Sequence, residues 1–92
     1  MQTTKYIRHN VFGFTLWDAI SSVTHVQMAT AMGWLLADLH SAGFVAFHGG
    51  MPLCTGLSGS LGIGVKPGDS HALMRQLGIA PAPARAGFRE GA

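Results

Sequence analysis

The sequence predicts a mainly α-helical chain, with one long helix over about 16–42 read as a single membrane span. A Gly-rich irregular segment and a short helix over about 70–77 follow it. Three observations carry this expectation. Lys, Arg, Asp and Glu make up only 11% of the 92 residues while 48% are apolar, against a usual charged share of about 25%. From Ala19 to Ala37 no residue carries a formal charge, which meets the length of roughly 20 apolar residues needed to cross a hydrocarbon core. Helix start and stop signals bracket that stretch. The alternative fold is a small soluble α+β domain in which the same apolar surface packs on a short sheet.

The chain reads as one unit, residues 1–92, in five stretches. Residues 1–14 form a polar, basic opening that turns aromatic at Phe12 and Phe14. It lacks the apolar core and small-residue cleavage site of a secretory signal. In residues 15–42, Thr15 is the expected N-cap with Asp18 three residues on, and the stop lies at His40 to Gly43. Gly33 is the one glycine between those signals.

Trp17 and Trp34, roughly 25 Å apart along a helix, are the expected interface anchors of the span. Lys5 and Arg8 precede it, so the positive-inside rule places the amino terminus in the cytoplasm; the alternative fold implies a cytoplasmic protein. Ser21, Ser22, Thr24, His25, Gln27 and Thr30 fall inside the same window. In lipid such groups need a protein neighbour, because hydrocarbon offers no hydrogen-bond partner. A stripe of Ala19, Ser22, Val26, Ala29, Gly33 and Ala37 is the expected helix-packing face.

Residues 43–68 are rich in glycine and contain Pro52, which argues against a second long helix. Phe44 to Phe47 has strand character, and Leu61, Ile63 and Val65 alternate with glycines in a two-residue period. In residues 69–78, Asp69 or Ser70 caps a short helix that stops at Gly78. Residues 79–92, rich in alanine, proline and arginine, are expected to be a mobile tail.

The function expected from these features is that of a non-catalytic, single-span accessory subunit, of the kind found in respiratory or photosynthetic assemblies. Its partners would be other membrane subunits and lipid. The alternative is a soluble, dimerising α+β interaction module, hence a homo-oligomer. A third reading is a histidine-based metal or haem binder. In it His25, with Ser21 one turn earlier, ligates a haem or chlorophyll-type metal, or His40 and His48 act as a pair.

No cofactor is otherwise expected, and no zinc spacing such as HExxH or CxxC is present. Nucleic acid is not an expected partner, since no Lys or Arg lies between Arg8 and Lys66 to line a phosphate track. No catalytic residues are expected either. The single Cys54 excludes an intrachain disulfide and has no evident base and orienting group. Asp18, Asp38 and Asp69 all fall at helix ends.

Overall fold

The computed structural model describes residues 4–18 and 22–79. Its fold is α+β and mostly strand. Strands β1 (Thr4–His9), β2 (Gly13–Asp18), β3 (Leu39–His48) and β4 (Met51–Thr55) form an antiparallel sheet in the order β2-β1-β3-β4. Helix α1 (His25–Met32) and a 3-10 turn at Leu36–Asp38 link β2 to β3. A small hairpin of β5 (Leu57–Ser58) and β6 (Ile63–Gly64) follows β4, and helix α2 (Asp69–Gln76) comes last.

The long helix expected over 16–42 is therefore absent, and among the described residues no helix is long and apolar enough to cross a membrane. The period of the side chains explains the difference. Phe14 and Leu16 pack on one face of the sheet and Trp17 on the other, a two-residue alternation that suits a strand. The helix starts later, at Thr24, whose side chain accepts from Gln27 N–H while Gln27 reaches back to the Thr24 backbone. This capping box outcompetes the expected one at Thr15 and Asp18. Gly33 ends α1 in the left-handed conformation, φ 73°, where a side chain would be strained. The expected stop at Ala42 and Gly43 lies within β3.

The sheet is covered on both faces. On one, Tyr6, Phe14, Val45 and Cys54 pack against Leu73 of α2, with Leu16 and Ala72 beside them. On the other, Ile7, Leu39 and Ala42 meet Met28 and Ala29 of α1, joined by Trp17, Val23, Trp34, Leu61 and Ile63. Central strand β1 nevertheless carries Lys5, Arg8 and His9, whose polar atoms bond to Val23 O, Asp69 and the Val11 and Phe12 amides. Gly49 and Gly50, both at positive φ (59° and 83°), form the two-residue turn between β3 and β4, the geometry that matches the twist of a hairpin.

Helix α2 also closes both edges of the sheet. At the β4 edge, Cys54 N–H donates to Ser70 Oγ at 2.8 Å. Pro52, two residues back and facing the same way, has no N–H to expose. At the β2 edge, Phe14 N–H donates to Gln76 Oε1 at 2.8 Å, and Gln76 Nε2 donates to Phe14 O at 2.9 Å. The approach is close: a Cβ on Gly13, whose φ is 83°, would lie 2.4 Å from Gln76 Oε1 and push the amide out of its bonds. Open edges invite pairing with other chains, and here one helix occupies a residue of each edge strand, Phe14 on β2 and Cys54 on β4.

Removing the Gln76 amide should cost about 1–2 kcal/mol, the usual value of two neutral hydrogen bonds at a partly exposed site. Gln76→Ala is expected to lower the urea midpoint accordingly and to speed hydrogen exchange at the Phe14 amide. Unchanged exchange at Phe14 would show that the edge is not closed this way.

Candidate functional site

Two places concentrate unusual chemistry. The first lies under α2. Asp69, in the first turn of that helix, is 1% exposed. Its Oδ2 accepts from Tyr6 OH at 2.6 Å and from Lys66 N–H at 3.1 Å, and its Oδ1 accepts from Arg8 Nη1 at 2.8 Å. Tyr6 and Arg8 are two apart on β1, so strand periodicity points both toward α2. Arg8 also stacks over the Phe14 ring, 5.1 Å from its centroid. Ser41, opposite Arg8 in register on β3, is fully buried and its Oγ has no hydrogen-bond partner.

Burial pushes the Asp69 carboxyl up, but the donors outweigh it. The Tyr6 hydroxyl, Lys66 N–H and Arg8 together hold it below the ordinary carboxylate value. Burial, reinforced by the bond to Asp69, pushes the Tyr6 phenol up. Burial likewise raises the Cys54 thiol, which keeps it protonated and poorly nucleophilic at neutral pH. A shallow depression of about 560 Å³ lies beside these groups, lined by Cys54 and residues 65–71. Ser70 is committed to the Cys54 N–H, and Asp69 is turned inward. The cluster is thus built to hold α2 on the sheet.

The second place is at the opposite side, where the β1–β2 turn meets the segment after α1. Here Val11 is 79% exposed, Phe12 68%, Leu35 70% and Leu36 54%, with Met32 at 42%. Trp34, half-buried, stacks its ring with Phe12 at 6.3 Å and tilts against His9 at 4.9 Å. Asn10 N–H donates to Asp38 O at 2.9 Å and binds the two segments together. None of the five exposed side chains is charged.

The residues singled out from sequence are dispersed. Val26 and Ala29 lie on α1, Gly33 is its C-cap, Ala37 is in the 3-10 turn and Ser22 precedes the helix. Ala19, like Ser21, lies outside the described residues, as does the expected tail from residue 80 onward. These positions do not form one helical face. Trp17 on β2 and Trp34 after α1 both pack toward the same core, so they do not mark two ends of a span.

His25 is buried at the start of α1, where its Nε2–H donates to Gly43 O at 2.8 Å and its ring meets Phe44 edge-on. That bond ties α1 to β3. His40 and His48 sit on one strand, roughly 27 Å apart at 3.4 Å per residue, too far to share a ligand. Among the described residues no group of three His, Cys, Asp or Glu side chains could hold a metal ion. The sequence reading missed His9, Tyr6 and Arg8, whose roles depend on contacts made across the fold. Comparison with protein-family models, curated proteins and solved structures finds no match.

Stability should follow the ionisation of this cluster. Asp69 has a depressed folded value, so its contribution is present above the unfolded carboxylate value of about 3.9 and is lost as pH falls through the folded one. Tyr6 has a raised value, so its contribution is full below about pH 10 and fades above it. Because Tyr6 is the single tyrosine, phenolate absorbance reads it directly. It is expected to appear only as the protein unfolds at alkaline pH; smooth titration of the folded protein near pH 10 would contradict the buried bond. Asp69→Asn should cost about 2–3 kcal/mol, measured by urea unfolding.

Proposed function

We propose that the chain is a non-catalytic α+β interaction module that associates with a second copy of itself through the apolar end formed by Val11, Phe12, Leu35 and Leu36. The observation that carries this reading is the exposure of these side chains in one uncharged cluster around Trp34. Monomeric proteins rarely expose contiguous apolar patches beyond a few hundred Å², and here the exposed side chains, with Met32, come from two segments joined by the Asn10 to Asp38 bond.

A second copy is the occupant the chemistry favours. An isologous contact puts each patch against itself, which is unfavourable when the patch carries a net charge and tolerable when it carries none. No charged side chain stands among the five exposed residues, so the apolar centre of the patch meets its copy without like-charge repulsion, and the carboxylate of Asp38 stays at the rim. The sheet edges are poor competitors, because Ser70 and Gln76 occupy them.

Sedimentation equilibrium of the full chain tests this. The expected result is a reversible dimer with a Kd of about 1–100 μM, suited to a small interface. The double variant Phe12→Ser, Leu35→Ser should sediment as a monomer while keeping its circular dichroism spectrum, since both side chains are exposed. A wild-type chain that stays monomeric at millimolar concentration would refute the reading, as would a double variant that dimerises as well as wild type.

A further inference from the structure

We propose that His9 is an acid-sensitive latch on this surface: its neutral Nδ1 holds the β1–β2 turn in the shape that presents Val11 and Phe12, and protonation releases the turn. What the turn presents to a second copy rests on the self-association reading above; the latch itself exists within a single chain.

His9 ends β1 and is 7% exposed. Its Nδ1 accepts from Val11 N–H at 3.0 Å and from Phe12 N–H at 3.2 Å. A nitrogen that accepts must keep its lone pair, so the ring is neutral with its proton on Nε2. These bonds supply acceptors for backbone donors in a three-residue loop that has few other partners. The ring also lies between Phe12, at 4.7 Å, and Trp34, at 4.9 Å, so the same side chain sets both the backbone and the aromatic part of the patch. A proton on Nδ1 would place an N–H against two N–H donors and break both bonds.

The surroundings offer little to offset that charge. Asn10, Val11, Phe12 and Gly13 of the turn and β2 are uncharged, as is Trp34 following α1. On the side of β3, His9 is in register with Leu39. The carboxylate before it, Asp38, belongs to an exposed residue that meets the turn through its backbone carbonyl, and His40 follows it. Arg8 is bound to Asp69 on the other face of the sheet. The aromatic faces give an imidazolium a modest cation–π attraction, but they replace neither lost acceptor. Imidazole is the side chain whose charge ordinarily changes in mild acid, so a pH series is the perturbation that tests the latch.

The test is a pH series on the full-length, ¹⁵N-labelled chain from about pH 8 to 5, run by NMR at low concentration and by sedimentation at high concentration. The Val11 and Phe12 amides should move together with the His9 ring signals and lose protection relative to an unstructured peptide. The dimer Kd should rise at least about tenfold. His9→Asn, whose Oδ1 can accept in place of Nδ1 and does not titrate, should hold the turn and the dimer at the acid end, with the other four histidines still present.

Val11 and Phe12 amides that stay put while His9 titrates would overturn the latch. So would a folded His9→Asn chain that dissociates in acid as wild type does. A wild-type chain monomeric at every pH overturns the self-association reading and the release, and the two amides then still decide the latch.

Discussion

Asp69 is a carboxylate with 1% exposure, and a buried charge is tolerable only where donors replace the water it has lost. Tyr6, Arg8 and the Lys66 N–H provide them. Because the donors come from β1 and from the approach to α2, satisfying this one group fixes where the helix lies. With α2 in place, Leu73 fills the core on that face, Ser70 reaches one edge strand and Gln76 the other. Three consequences thus follow from a single desolvated carboxylate: a docked helix, a filled core and two closed edges.

The low charge of the chain has its origin in the same geometry. Both faces of the sheet are covered, so β1 and β3 carry buried side chains on each side, and even small residues such as Ala42 and Gly43 are enclosed. Away from the Asp69 cluster and Lys5, polar needs are met by uncharged groups: Ser70 and Gln76 at the edges, His25 between α1 and β3, His9 at the turn. Apolar side chains stay open at the Val11, Phe12, Leu35 and Leu36 end and also, on other elements, at Phe47, Leu53, Leu57, Val65 and Leu77. Edge closure and end exposure together favour association by side-chain contact over strand addition.

Local signals were legible in the sequence where a short segment carries its own stop and start. The short helix near Asp69 and the strand character of Phe44 to Phe47 depend on neighbours within a few residues, whereas the glycine-rich segment expected to be irregular carries the end of β3, all of β4 and the β5–β6 hairpin. The reading failed between Gly13 and Gly43, where a charge-free window was taken for one continuous helix. Freedom from charge marked neither a span nor burial: of the described residues in that window only His25, Met28 and Ala29 are buried, and Ser22, Thr24, Gln27, Thr30 and residues 35–37 are exposed. The better cap at Thr24 with Gln27, and Gly33 as a terminator inside the supposed helix, were the signals that could have divided it. The Asp69 cluster was not legible, since Tyr6 and Arg8 lie 63 and 61 residues away in the chain. Nor did sequence show that His9 faces the amides of its own turn.

The account holds that α2 seals the sheet edges and leaves the Val11, Phe12, Leu35 and Leu36 end as the contact surface. An isotope-filtered NOE experiment on mixed labelled and unlabelled chains reads that contact directly. Intermolecular cross-peaks are predicted from the Phe12 ring to the Leu35 and Leu36 methyls, with none from the backbone of β2 or β4. Intermolecular contacts running along either edge strand, with the Phe12 ring silent, would contradict it.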